Sequence, residues 1–387
     1  MQGVEWFQKS TIYHILIDRF AGYHSPEHAH QPVFIGGTLQ GIVKKLDYLE
    51  NLGVNTVWIS PFYKTSAYHG YHITDFYQVD SHFGTLEDIK QLIREIHNRH
   101  MYIIADFVPN HCSREHPFFQ HAYIHKNSEY QDWFYFSKWP DEYLCFLSIQ
   151  DLPKLNLDNP QAKKHVIDAA VYWLRCGFDG FRLDHVIGPA RSFWKEFRGT
   201  IKQQFPAAVL IGEAWMMGIR RKELKTLRVR NRYMKWFLGS ASDSLFQEYV
   251  GVLDGVLDFR FQDLTKHFFT GQIPKKYFIK RLQRHYQQFP KNFYLPTFLD
   301  NHDMDRFLFT VGNDKEKLKQ AFEFQCSLGQ PIIVYYGSEI GMSQQRSIWD
   351  IPIHGDLQAR QPMQWHAIDT ELFNFYKKNI AKRNRNQ

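Results

Sequence analysis

A closed (β/α)8 TIM barrel, in the α/β class, is the fold this sequence predicts, and three observations carry that expectation. Short runs of Val, Ile and Leu with little polar alternation recur along the chain, stretches of helical period follow them in turn, and eight such runs can be counted. Runs without alternation are what strands look like when helices cover both faces, and repeated strand-then-helix units make a parallel sheet. The open doubly wound rival lacks its fingerprints, since neither GxGxxG nor GxxxxGK occurs. A chain of 387 residues has room for one barrel of about 250 residues with insertions.

Residues 12–17 are the first expected strand. Residues 38–52 then place Leu39, Ile42, Val43, Leu46 and Leu49 on one helical face and stop at Gly53, a favoured helix-ending residue. Residues 57–60 form the second strand. Thr85 and Asp88 have the spacing of a capping box, opening a helix with Leu86, Ile89, Leu92, Ile93 and Ile96 inward. The third strand covers 102–105, and the stretch 110–158 that follows is aromatic-rich and turn-prone with no convincing long helix. It reads as a small subdomain inserted after strand 3, which divides the chain into barrel (1–109), insert (110–158) and barrel again (159–387). Asn159-Pro160 opens a helix running to Cys176 with proline in its first turn. The remaining strands fall at 181–183, 209–211, 256–259, 295–299 and 332–336.

Composition removes several function classes. Apolar residues are 44% and charged residues 22%, the ordinary globular mix, which argues against disorder and fibrous structure. The formal net charge is +7, but basic residues cluster only in 220–232 and 377–385, both with apolar residues at helix-like spacing. Solvated helix faces account for them, and no nucleic-acid partner is expected. Cys112, Cys145, Cys176 and Cys326 contain no CxxC pair, so free thiols are expected. The start MQGVEWFQKSTIYHI has no leader pattern and nowhere do 18 apolar residues run together, so a soluble, cytoplasmic protein with no membrane partner is expected. Aromatic residues reach 17%, which suits a cleft that grips sugar rings and equally an aromatic-rich core.

In a barrel the functional groups stand at the C-terminal ends of the strands. The third run ends in Asp106, followed by Asn110 and His111. The fourth carries Arg182 and ends in Asp184, the fifth ends in Glu213, and the seventh ends in Asp300, Asn301, His302 and Asp303. Each carboxylate alone has a plain structural explanation: Asp184 as a helix cap, Glu213 as a lysine partner, Asp303 paired with Arg306. Together, carboxylates facing one another cost free energy unless used. A pair of carboxyls without a metal cluster points to glycoside chemistry, where one attacks or stabilises an oxocarbenium-like carbon and the other holds a proton for the leaving oxygen. Arg182 and Asp184, two apart, share a strand face, so the guanidinium is expected to keep Asp184 ionised. Glu213 precedes Ala214, Trp215, Met216 and Met217, apolar surroundings that raise a carboxyl pKa toward that of a general acid.

Over nearly its whole length the chain resembles the alpha-amylase family, glycoside hydrolase family 13. The matching segments are DFVPNH (106–111), GFRLD (180–184), GEAW (212–215) and NHD (301–303), in the family's order, with further matches at GGTLQGIVKKLDYLENLGV, YHGY (68–71), LPKLN (152–156) and RQPMQW (360–365). The resemblance implies Asp184 as nucleophile, Glu213 as acid/base and Asp303 as the carboxylate that holds sugar hydroxyls and stabilises the transition state. It implies a retaining mechanism with a covalent glycosyl intermediate, for which the two reacting carboxyls stand about 5 to 5.5 Å apart. Tyr71 resembles the ring stacked at the cleavage point with His69 beside it, His111 and His302 resemble partners of the same sugar, and Asp356 with Arg360 is similar to a family pair gripping a sugar further toward the non-reducing side.

The departures matter too. Ile187 and Gly188 stand where many starch-cleaving members carry lysine and histidine, so acceptor binding is expected to differ. Asn110 matches a family calcium ligand, but Lys154 stands where calcium-dependent members have aspartate. An ammonium there replaces the ion's charge, and no cofactor and no metal, calcium included, is expected. The loop residues His24, Glu27, His28 and His30 match no standard metal spacing. LPKLN leans to the cyclomaltodextrinase and neopullulanase branch, NHDMDRF to the cyclodextrin glucanotransferase branch. The family's C-terminal antiparallel β domain has no counterpart after KKNIAKRNRNQ; either it is absent or a partner subunit covers that surface, which makes a homo-oligomer one expectation. The function implied is hydrolysis of α-1,4-glucosidic bonds in starch, maltooligosaccharides or related α-glucans. The alternatives are a 4-α-glucanotransferase or other transglycosylase, a cyclomaltodextrinase, and a non-catalytic binding relative.

Overall fold

The computed structural model describes residues 4–237, 239 and 241–386; Met1, Gln2 and Gly3, the start of the stretch read for a leader, lie outside them. Eight parallel strands among these residues form one sheet: β1 (Thr11–Ile15), β2 (Thr56–Ile59), β3 (Tyr102–Phe107), β4 (Gly180–Leu183), β5 (Val209–Gly212), β6 (Gly255–Val256), β7 (Thr297–Phe298) and β8 (Ile332–Tyr335). Their order in space is β6-β5-β4-β3-β2-β1-β8-β7. The two ends meet through a Gly255–Tyr294 bridge, with Val256 N–H donating to Tyr294 O at 3.1 Å and Asp258 N–H to Pro296 O at 3.0 Å. The strands therefore run round as a (β/α)8 barrel. Nearly every strand residue is buried, both those pointing into the barrel and those under the helices, which is why their sequences do not alternate.

Register decides which strand-end side chains become neighbours. Asp106 pairs with Arg182 across β3 and β4, and His14 pairs with Trp58 across β1 and β2, their rings stacked at 3.6 Å inside the barrel.

The helices follow their caps. Thr85 and Asp88 form the capping box of Leu86–Asn98, and the Asn159 side chain accepts from Gln161 and Ala162 at the start of Pro160–Arg175. The single helix expected over 38–52 is instead two, Leu39–Val43 and Leu46–Leu52. Lys45 N–H donates to Ile42 O, three residues back, and that tighter turn breaks the α ladder. Gly53 ends the second helix at φ +94°, a left-handed conformation that glycine adopts without strain.

Several strands are shorter than expected. The first stops at Ile15 because Ile17–Phe20 is a helical turn. The sixth ends at Val256 because Asp258 caps the helix Phe259–Phe269. The seventh begins after Pro296, which has no N–H for the ladder. The hairpin of Tyr63–Thr65 with Ile73–Val79 was not anticipated; its loop carries His69 and Tyr71. Between β3 and Pro160 lie a helix, Pro117–Ile124, and a small hairpin, Phe136–Lys138 with Glu142–Tyr143. Bridges His111–Lys154, Phe134–Leu155 and Cys145–Pro153 tie this stretch together. All four cysteines are free thiols, and no helix among the described residues is long and apolar enough to cross a membrane.

Candidate active site

The centre of the C-terminal face is Arg182. Its Nη1 donates to Asp106 Oδ1 at 2.8 Å and to Asp184 Oδ1 at 2.8 Å, and its Nη2 lies 2.6 Å from Glu213 Oε1. Three strands thus deliver three carboxylates to one buried guanidinium. The neighbours of each are specific. Asp106 Oδ2 also accepts from Tyr71 OH at 2.9 Å. Glu213 Oε2 accepts from the backbone N–H of His185 at 3.1 Å, which His185 presents from a left-handed conformation, φ +44°. Asp184 Oδ2 is buried and has no partner.

One cation cannot balance three buried anions, and the carboxyl pKa values rise accordingly. Burial pushes Glu213 up to about 8 against the pull of Arg182, Asp106 up to about 7 and Asp184 up to about 6. Arg182 draws the Asp184 value down, as its place on the same strand face leads one to expect, while burial and the nearby Asp303 raise it. At neutral pH Asp184 is still mainly ionised while Glu213 is mainly protonated.

Asp303 has a different setting. Its Oδ1 accepts from Arg360 Nη2 at 2.8 Å and its Oδ2 lies 3.0 Å from His302 Nε2. Burial would raise its pKa, but the contact with His302 and the charge of Arg360 outweigh that and hold it well below the usual carboxylate range. The pairing of Asp303 with Arg306 considered from sequence does not form; Arg306 is buried and donates to Tyr336 O. Asp300, from the same strand end, accepts from Phe307 N–H and Ser338 Oγ and belongs to the frame. Arg360 also pairs with Asp356 at 2.5 Å and donates through Nε to His302 O at 2.8 Å, so the Asp356–Arg360 pair and the 301–303 segment are one network.

The rings complete the site. Tyr71 lies parallel to His302, 5.3 Å between centroids and 7° between planes, with its OH 2.7 Å from His302 Nε2. His69 Nδ1 accepts from Tyr71 N–H at 3.2 Å, and burial keeps His69 neutral. His111 stacks on Phe146 at 4.6 Å; burial lowers its pKa to about 3, and its Nε2 has no partner. His302 Nδ1 is likewise unpartnered. His111, His302 and Asp184, each with one such buried atom, line a cleft of about 1050 Å³ that also reaches Asp356 and Arg360. Carboxylates, imidazoles and Arg360 interleaved with the rings of Tyr71 and Trp215 make a wall suited to something with both hydroxyls and flat apolar faces.

Beside the cleft, Lys154 is buried, and burial lowers its pKa to about 7. Its Nζ donates to Asn110 Oδ1 at 2.9 Å, Gly188 O at 2.8 Å and Thr226 O at 3.0 Å. The oxygens that would face a calcium ion here already accept from an ammonium, so these residues do not fit that metal. Among the described residues no group of three His, Cys, Asp or Glu is placed to hold one.

Sequence reasoning placed the catalytic candidates at the strand ends but missed Asp106 as a member of the charge cluster, because its contact with Arg182 depends on inter-strand register. It missed His185, whose contribution is a backbone N–H, and Tyr68, whose OH lies 3.4 Å from Arg360 Nη1. Tyr68 stood in the YHGY match and was the one that could have been found.

The Alpha amylase, catalytic domain model matches residues 7–385. Alpha-amylase 2 of Dictyoglomus thermophilum is 38% identical over 98% of this chain, and neopullulanase 2 of Thermoactinomyces vulgaris is 31% identical over 98%. The chain spans 63% of the length of either curated relative. Among solved structures, the cyclic alpha-maltosyl-(1→6)-maltose hydrolase of Arthrobacter globiformis, in complex with that sugar, superposes with a TM-score of 0.83 at 25% identity, covering 100% of this chain and 84% of its own.

Proposed function

The chain belongs to the alpha-amylase family, and on that premise we propose that it is a retaining glycoside hydrolase cleaving α-1,4-glucosidic bonds in starch, maltooligosaccharides or related α-glucans. The observation that carries this reading is the Arg182 cluster: Asp184 and Glu213 on adjacent nitrogens of one guanidinium, with Asp184 Oδ2 left free. Asp184 Oδ2 attacks the anomeric carbon as the bond to the leaving oxygen breaks, and Glu213 gives that oxygen its proton. The Glu213 carboxylate then takes a proton from water, whose oxygen bonds to the anomeric carbon as the Asp184 ester breaks, returning both groups to their starting states. Arg182 favours the ionised form of Asp184, and burial supplies the proton on Glu213. Asp303, kept ionised by Arg360 and His302, takes the hydroxyls of the same sugar, as do His111 and His302. Tyr71 lies against that ring with His69 behind it, while Asp356 and Arg360 hold a sugar further toward the non-reducing end.

The segment 110–158 acts in this reading as an inserted subdomain walling one side of the cleft, and Lys154 stands in for calcium. The test is the anomer first released from maltoheptaose, followed by proton NMR. Retention predicts the α-anomer; the β-anomer, or no cleavage, overturns the reading.

A second reading is favoured by the apolar stretch after β5, where Trp215, Met217 and Ile219 line the cleft. A wall that disfavours water over a second sugar would make the protein a transglycosylase, and products longer than maltotriose from maltotriose distinguish it.

A further inference from the structure

One end of the cleft is closed by a loop that none of the sequence motifs explains. After β8 the chain makes a 3-10 turn, Ile348–Asp350, that carries Trp349. Trp349 is 55% exposed and lines the cleft together with His354 and Asp356. The frame beneath it is unusually well bonded for a surface loop. Asp305 Oδ1 accepts from Gln344 Nε2 at 2.6 Å and from Ile348 N–H at 2.8 Å, and its Oδ2 accepts from Ser347 Oγ at 2.7 Å. Gln344 Oε1 in turn accepts from Arg306 N–H at 2.7 Å, and Ser347 Oγ from Trp349 N–H at 3.3 Å. The two legs of the loop also touch backbone to backbone: a Cβ on Gly355 would lie 2.1 Å from Ile348 O, so only glycine allows this approach, and it brings Trp349 up against the turn that bears Asp356. The backbone that carries Trp349 is thus fixed while the indole stands open to solvent on the cleft wall, where it can receive a flat apolar partner without rearrangement of the loop.

We propose that Trp349 is a stacking platform for a glucosyl ring of the α-glucan, beyond the ring held by Asp356 and Arg360, and that Asp305 is the positioning residue that holds it there. The C–H face of a pyranose lies on an indole as it would on another aromatic ring, while the hydroxyls on its edge stay in water. The platform adds recognition of chain length to the site and rests on the α-glucan reading above. A substrate too short to reach Trp349 gains nothing from it.

The test compares kcat/KM for maltoheptaose with kcat/KM for maltotriose in the wild type, Trp349→Ala, Trp349→Phe, Asp305→Ala and Asp305→Asn. The ratio should fall about tenfold in Trp349→Ala, the size of one lost stacking contact, through a higher KM on the long substrate, and Trp349→Phe should restore most of it. Asp305→Ala should lower the same ratio, with partial recovery in Asp305→Asn, which keeps an oxygen for Gln344 and Ile348. A ratio unchanged in Trp349→Ala, or equal losses on both substrates, overturns the platform. A ratio that falls in Trp349→Ala but not in Asp305→Ala overturns the positioning role. If the wild type cleaves neither sugar, the hydrolase reading fails and the platform with it, an outcome distinct from turnover with no chain-length effect.

Discussion

Two buried clusters near the C-terminal face each set one cation among carboxylates, and they resolve the charge in opposite ways. Around His285, on the helix Lys275–Tyr286, Asp243 Oδ1 lies 2.6 Å from Nδ1 and Asp258 Oδ1 lies 3.1 Å from Nε2. The acceptors have donors to spare. Asp258 also takes the N–H of Phe261 and the hydroxyl of Tyr286, and Asp243 takes Gln288 Nε2. Burial would lower the pKa of His285, but its two carboxylates push it up to about 9, so the cluster keeps its charges at neutral pH. Around Arg182 there are three carboxylates, a missing partner on Asp184 Oδ2, and pKa values of about 6, 7 and 8. Satisfied acceptors make a structural clamp; unsatisfied ones leave protons free to move near pH 7.

The strongest way to break this contrast is Glu213→Gln. Loss of the proton donor should lower kcat on maltoheptaose by about 10³-fold or more, while urea unfolding at neutral pH shows no loss of stability, because glutamine keeps the shape of a side chain that is already mainly uncharged there. A drop in stability comparable to that of a clamp mutant would place Glu213 in the frame instead. The same pKa values set the pH profile. Asp184 must be ionised and Glu213 protonated, so wild-type kcat/KM should rise through about pH 6 and fall through about pH 8.

Lys154 sharpens the comparison, since its Nζ donates to three neutral oxygens and to no carboxylate. Lys154→Met leaves Asn110 Oδ1, Gly188 O and Thr226 O without a donor and should lower the unfolding free energy by about 3 kcal/mol. Treatment of the wild type with EDTA should leave the unfolding midpoint where it is. A midpoint that falls with EDTA and returns with calcium would show that the ammonium is not the resident cation.

What the sequence made legible, and what it did not, divides along the same line. The strand-end positions of Asp184, Glu213 and Asp303 were readable because each closes an apolar run, and the Arg182–Asp184 contact followed from two-residue strand periodicity. The ionised state of Asp184 was legible, but the upward shift of its pKa was not, because depth of burial is a property of the closed barrel. Asp106 joined the cluster through the register of β3 against β4, which local pattern does not specify. The break at Lys45 within 38–52 escaped because a tighter three-residue turn interrupts the helical period there, and the hairpin Ile73–Val79 escaped because its partner strand Tyr63–Thr65 is only three residues long. The cleft rim was least legible, since Phe146 and Trp349 sit in segments with no periodicity.

The smallest effect belongs to the clamp and tests its half of the contrast by pH alone. The pKa of His285 is about 9 in the folded protein against about 6.5 for an unperturbed histidine. Between those values the folded state binds a proton that the unfolded state releases, so the clamp's contribution is complete below about pH 6.5 and is lost as pH rises through about 9. The shift corresponds to about 3–4 kcal/mol across that window. His285→Asn should therefore unfold more easily than the wild type at pH 6, and the two stability curves should converge toward pH 9.5. If they stay parallel over this range, His285 is held neutral and the clamp balances its carboxylates by hydrogen bonds alone. Activity of the variant near neutral pH should stay close to that of the wild type, since His285 forms no contact with the Arg182 cluster, and a large fall in kcat without a fall in stability would mean that the two clusters are coupled through Asp258 and the Trp215–Phe259 stack, 4.5 Å between centroids, that begins beside it.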